Sequence, residues 1–357
     1  MKIRNLMLVA LAASMTFVAC SKDDGVPDAQ GTPKSVTIKL ANVVTPSRST
    51  GGAEIEPGQA VTLTKYQVFF SDGTKLYTAK EANNQDAAEQ YFVTPEDGAL
   101  ATTGNFHFLP AAVNKVIVIG NRAKIDDVTT EAELNVALNI TDEQNADALS
   151  LYATSALTPV SEAEDDDDDE IHLKDNPVYK ADLTLAPTIA RLYIKNFSCT
   201  FSGTPEYTSL KLQKLALNNY YTTNTLASET VGGLTNTTLT EANVWDWFAK
   251  LPAGFDNDNL DISLSSTSAT APSGGLYYHI FPGVEPQLVL RAEGDGTPLY
   301  LATKSFKSGD APVVWEAGKI YEMDFAFKAT DFDQPDKCID ITVKPVNWVV
   351  VPVSPEF

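Results

Sequence analysis

Val36-Thr37-Ile38-Lys39-Leu40 alternates apolar and polar side chains with a period of two. That is the pattern of a strand with one face in a core and the other in water. The same habit recurs further along. Val61, Leu63, Tyr66, Val68 and Phe70 lead to an Asp72-Gly73 turn and a return through Leu76 and Tyr77, which predicts a hairpin. Phe106 and Phe108 alternate before Pro110, which places His107 on the solvent side. Lys115-Val116-Ile117-Val118-Ile119-Gly120-Asn121 is apolar enough for a central strand. Residues 130–153 break the habit: Thr130 with Glu133 suits a capping box, and Leu134, Leu138, Ala146 and Leu149 suit one or two short helices. Strand patterning returns at Tyr179 to Leu185 and Ile189 to Ile194, split by Ala186-Pro187, and again at Leu210 to Leu217, Tyr277 to Phe281, Leu288 to Leu290 and Ile320 to Phe327. Thr240 to Asn243 opens a short helix carrying Trp245 and Phe248. Many short strands with little helix predict an all-β chain built as β-sandwiches, with a domain boundary at Pro187.

The first residues are targeting sequence. Lys2 and Arg4 precede an apolar run from Leu6 to Val18, too short and wrongly flanked for a membrane span. It ends in Phe17-Val18-Ala19-Cys20, a lipoprotein cleavage box with Phe17 where Leu is usual. Residues 1–19 therefore read as a signal peptide and Cys20 as the lipidated residue. Ser21-Lys22-Asp23-Asp24 resembles the surface-export tag of lipoproteins in the Bacteroides group. Residues 21–34 read as a polar tether, and Thr45 to Gly52, which contains Arg48, as an exposed loop.

The chain has 357 residues, a formal net charge of −21 and a pI near 4.4. Such a chain repels nucleic acid and anionic membrane, so neither is an expected partner. Seven consecutive acids from Glu164 to Glu170 suit a solvated loop; they lack the alternating donors and turn glycine of an EF-hand calcium loop. No metal site and no cofactor is expected. Cys199 and Cys338 could form one bridge or remain two thiols. The histidines His107, His172 and His279 lie far apart, and no nucleophile-elbow, Walker or HExxH motif is present, so no catalytic residue is assigned and the chain is not expected to be an enzyme. The pairs Tyr220-Tyr221, Trp245 with Trp247 and Tyr277-Tyr278 could stack on sugars, although packing in cores is the commoner use of such rings.

The chain ends Ile339-Asp340-Ile341-Thr342-Val343-Lys344-Pro345-Val346-Asn347-Trp348-Val349-Val350-Val351-Pro352-Val353 before its last four residues. Ile339, Ile341 and Val343 alternate with polar residues. After Pro345 the apolar positions shift to Val346, Trp348 and Val350, a parity change that predicts a bulge or bend at Pro345. So long an apolar tail must pack on its own domain or on another molecule.

The lipobox, the N-terminal strand, the Arg48 loop, the block from Phe106 to Asn121, Pro187-Thr188-Ile189-Ala190-Arg191 and the Trp348-bearing end occur in the order seen in FimA-type major fimbrillins of the Bacteroidia. The chain resembles that family over nearly its whole mature length. The resemblance implies two transthyretin-like β-sandwich domains in tandem, an N-terminal one over 49–187 and a C-terminal one over 188–357. It implies a propeptide, 20–48, released by an arginine-specific protease between Arg48 and Ser49. The displaced strand would carry Val36, Ile38 and Leu40. The tail, 339–357, of a neighbouring subunit would replace it, inserting Val346, Trp348 and Val350 or, in the opposite register, Val349, Val351 and Val353. The implied partners are further copies of the chain and other fimbrial subunits, the protease, and the outer membrane through the lipid before cleavage. An unidentified ligand on a host or bacterial surface completes the set. The chain would start as a cell-surface lipoprotein and end in an extracellular fimbrium. Residues 1–48 hold six basic and three acidic residues, so their loss takes the net charge from −21 to −24, and salt should favour assembly. The alternatives are a carbohydrate-binding surface lipoprotein and a tip or anchor subunit of the same fimbria.

Overall fold

The structure is a computed structural model that describes residues 33–41, 43–44, 61–77, 80–81, 91–94, 102–160, 177–201, 207–227, 230–265, 270–272, 275–333 and 339–347. It is an all-β sandwich architecture with one short α-helix among the described residues.

Two large sheets, and a small parallel pair of Val43–Val44 with Val61–Thr62, are built from residues before Ala190. In the first, β1 (Lys34–Ala41) is the middle strand. Its neighbours are β3 (Thr103–Leu109), antiparallel to it, and β6 (Val178–Thr184), parallel to it. In the second, β4 (Lys115–Gly120) lies between β2 (Tyr66–Ser71) and β5 (Leu151–Ala156). β4 is apolar on both faces and buried almost throughout, as a central strand must be. The sheets share one core, with the Phe70 and Phe106 rings meeting edge to face at 4.9 Å. The expected hairpin forms: Phe70 pairs with Tyr77, and Gly73 takes φ +104°, open only to a residue without Cβ strain.

The residues from Ala190 onward repeat the plan. β7 (Ala190–Thr200) lies between β14 (Lys319–Lys328), parallel to it, and β11 (Leu276–Ile280), antiparallel to it. So β7 has the same kind of neighbours as β1. The facing sheet runs β10-β8-β12-β13, made of β10 (Asn257–Leu264), β8 (Leu210–Asn218), β12 (Gln287–Gly294) and β13 (Thr297–Ser308). Helix α1 (Val244–Lys250) covers the outside of this sheet: Val244 and Phe248 pack on Ala216, Val289 and Ala302. The capping box at Thr130 forms, but the segment Glu131–Leu134 is a 3-10 turn rather than an α-helix.

The two groups of sheets are stitched together. Ala137–Asn139 pairs antiparallel with β9 (Tyr220–Thr225). Beneath that seam, Arg191 Nε meets His279 Nε2 at 2.8 Å, and His279 Nδ1 lies 2.6 Å from the carbonyl oxygen of Glu143. Arg191 and His279 come from the second group and Glu143 from the first.

Candidate site at the two terminal strands

β1 is a strand because its apolar residues alternate, and it is a central strand because both of its edges are taken. Ser35 to Ala41 pair with Val178 to Thr184 on one side, and Lys34 to Lys39 with Leu109 to Thr103 on the other. Val36, Ile38 and Leu40 are 1%, 0% and 3% exposed. Gly104 lies opposite Ile38, and a Cβ there would come within 3.1 Å of the Phe106 ring.

Polar side chains also fix the strand, and sequence reading missed them. Lys34 is buried; its Nζ donates to the Val113 carbonyl at 2.6 Å and sits 4.5 Å from the centre of the Tyr179 ring. Burial pushes the Lys34 ammonium below the usual lysine range. Ser35 Oγ lies 2.8 Å from His107 Nδ1, and Thr37 Oγ1 donates to Asn105 Oδ1 at 2.8 Å.

His107 does not face solvent; it is 2% exposed. Lys34 pairs with Leu109 and Val36 with Phe106, so His107 and Phe108 together oppose the single residue Ser35. This is a β-bulge, with Phe108 at φ +58°. The extra residue reverses the alternation only after His107: Leu109 returns to the buried face opposite Lys34, while His107 stays on the face of Ser35 and is covered there. Alternating hydrophobicity in β3 gives no sign of it.

At the other end, β15 (Ile339–Asn347) crosses between the two sheets of its own sandwich. Thr303 to Lys307 of β13 pair in parallel with Ile339 to Thr342, and Lys319 to Met323 of β14 pair antiparallel with Asn347 to Val343. Ile341 and Val343 are buried and Lys344 is exposed. The bulge expected at Pro345 is absent: the ladder with β14 runs through Pro345 opposite Tyr321 without a shift. Among the described residues this half of β15 is paired on one side only, so the missing N–H of Pro345 can face the unpaired side. The change of partner comes at Thr342 and Val343 instead.

Of the other residues expected at the site, Val346 pairs with Ile320. Cys20, Arg48, Ser49, Trp348, Val349, Val350, Val351 and Val353 lie outside the described residues, as do Cys338 and the acidic run Glu164 to Glu170. Cys199 is a buried free thiol. The aromatic pairs named as possible sugar platforms are engaged in packing. Tyr277 stacks on Tyr193 at 4.5 Å, Tyr278 is fully buried, and Trp245 meets Tyr300 edge to face at 5.8 Å. A cleft of about 360 Å³ beside Trp245 is lined by the buried rings of Tyr207, Tyr300 and Phe332 and by Glu241 and Asp295. Among the described residues no group of three or more His, Cys, Asp or Glu could hold a metal ion.

No family model matches the chain, and no curated relative does. Solved structures do match. A fimbrilin from Porphyromonas gingivalis superposes with a TM-score of 0.53 at 14% identity, over 90% of this chain and 99% of that one. The fold is the fimbrilin fold. A candidate cell adhesion protein from Bacteroides eggerthii shares it, with a TM-score of 0.54 at 14% identity over 89% of this chain and 97% of that one. A second, from Parabacteroides distasonis, gives 0.54 at 16% identity over 91% and 99%. At these identities the fold is what the chains share.

Proposed function

We propose that the chain is a structural subunit of a surface fimbria and supports adhesion. It is made as a lipoprotein, loses signal peptide 1–19, and is lipidated on Cys20. It carries two sandwich domains, 49–187 and 188–357. An arginine-specific protease cuts between Arg48 and Ser49 and releases 20–48. The C-terminal strand of a neighbouring copy, within 339–357, then fills the vacated place. The chain needs no cofactor and performs no catalysis.

The observation that carries this reading is the position of β1. An N-terminal strand, upstream of the Arg48 segment, supplies the middle of a sheet rather than its edge. Its removal uncovers Val36, Ile38 and Leu40 sites worth about 1.5–3 kcal/mol each, roughly 5–9 kcal/mol in all. It also leaves two unpaired strand edges, which only another strand can satisfy. A head-to-tail contact that does not close gives a filament. The shared fold with a fimbrilin supports the same role.

The test is the N-terminus of protein sheared from the cell surface. Mass spectrometry should find Ser49 in filaments, and an Arg48→Ala variant should stay monomeric with acylated Cys20. Filaments whose subunits begin at Cys20 would overturn the reading.

A further inference from the structure

β1 and its surroundings make three separate demands on any strand that replaces it. A lysine must reach the Val113 carbonyl beside Tyr179, a small polar atom must meet His107 Nδ1, and an apolar row must fill the places of Val36, Ile38 and Leu40. One stretch of this chain meets all three in order. Lys34-Ser35-Val36-Thr37-Ile38-Lys39-Leu40-Ala41-Asn42-Val43 aligns without a gap with Lys337-Cys338-Ile339-Asp340-Ile341-Thr342-Val343-Lys344-Pro345-Val346.

We infer that a second copy of the chain enters the β1 slot in this one register, with Ile339, Ile341 and Val343 taking the places of Val36, Ile38 and Leu40; the inference rests on the strand replacement proposed above. Alternation alone would give the apolar row in any half-buried strand. The lysine and the small side chain before it are the additional match. Cysteine differs from serine by one atom, at the position that meets His107. Asp340 falls at Thr37, in reach of the Asn105 amide. Both rows also break at the same step, from Leu40 to Val43 and from Val343 to Val346. Val346 then takes the place of Val43, beside Val61. Pro345 falls one residue beyond Ala41, where its missing N–H removes nothing from the β1 ladder.

Polarity and pairing agree. β15 already lies between one parallel and one antiparallel neighbour, as β1 does. In its own sandwich each half of β15 is paired on one side only among the described residues. The β1 slot pairs a strand on both sides over most of its length, so transfer gains ladder hydrogen bonds.

The register can be read by disulfide trapping in filaments sheared from cells making the full-length chain in a Cys338→Ser background. Thr37 pairs with Asn105, and Lys39 with Thr103. Asp340→Cys should therefore cross-link to Asn105→Cys, and Thr342→Cys to the exposed Thr103→Cys, each giving a ladder of covalent oligomers. Exchanging the partners, or moving the cysteine to Trp348, should lose the ladder, because two residues along a strand is more than 6 Å. The Thr103 pair serves if Asn105→Cys fails to fold. A ladder from Trp348→Cys alone would overturn this register and leave strand replacement standing. Monomers with intact N-termini and no ladder from any pair would overturn both.

Discussion

Ser35 Oγ and His107 Nδ1 lie 2.8 Å apart, and neither residue is exposed. The pair joins β1 to the bulge in β3, so the strand is held by a specific polar contact as well as by burial. The bulge and this contact fix the register of β1 against β3, because a one-residue slip would place Lys34 or Val36, in place of Ser35, opposite the buried imidazole.

Ile38 lies at the centre of the β1 row with no exposed surface. Ile38→Ala in the uncleaved chain should cost about 2–5 kcal/mol. Thr37→Val, which removes only the hydrogen bond to the Asn105 side chain, should cost about 1 kcal/mol. Urea unfolding at pH 7 separates the two.

His279 is fully enclosed, and burial together with the Arg191 guanidinium lowers its pKa to about 3. The folded state therefore binds its proton more weakly than the unfolded chain does. Stability from this group is complete above pH 6.5 and is lost as pH falls toward 3. Between pH 6.5 and 4.5 the loss should be about 2–3 kcal/mol. Glu143 acts in the opposite sense, since burial raises its carboxyl pKa. Urea midpoints across this range should fall for the wild type and fall less steeply for His279→Gln.

Burial pushes the Cys199 thiol up to about 12. At pH 8 it should resist iodoacetamide in the folded chain and react within minutes once unfolded in urea. Peptide mapping checks this directly; labelling at the same rate in both states would contradict the placement of Cys199.

Gly120 ends β4 against Leu63 and Leu151. An added Cβ would meet Leu63 Cδ1 at 2.9 Å and Leu151 Cβ at 3.0 Å. Leu63 can rotate away, but the Leu151 Cβ is fixed to the backbone of β5. Gly120→Ala should cost about 1–3 kcal/mol, measured by thermal unfolding.

Alternation and length alone made the all-β class, the Asp72-Gly73 hairpin, the central character of Lys115 to Gly120 and the burial of Val36, Ile38 and Leu40 legible in the sequence, because a period of two is a local property of the chain. What was not legible was anything set by a partner strand. His107 was misplaced because it is buried on the face it shares with Ser35, a partner 72 positions away along the chain. Lys34 looked like a tether residue because its acceptor, Val113, is far along the chain. Pro345 looked like a bulge because its tolerance depends on which side of β15 is unpaired.

The sequence by itself determined which residues would be strands and which faces would be apolar, since those follow from side-chain chemistry at fixed spacing. Tertiary structure decided that β1 is a middle strand with neighbours of both polarities, and that β15 belongs to both sheets of its sandwich. Strand order joins residues separated by tens of positions to well over a hundred, and the hydrogen bonds that fix it are made by backbone groups that every sequence shares.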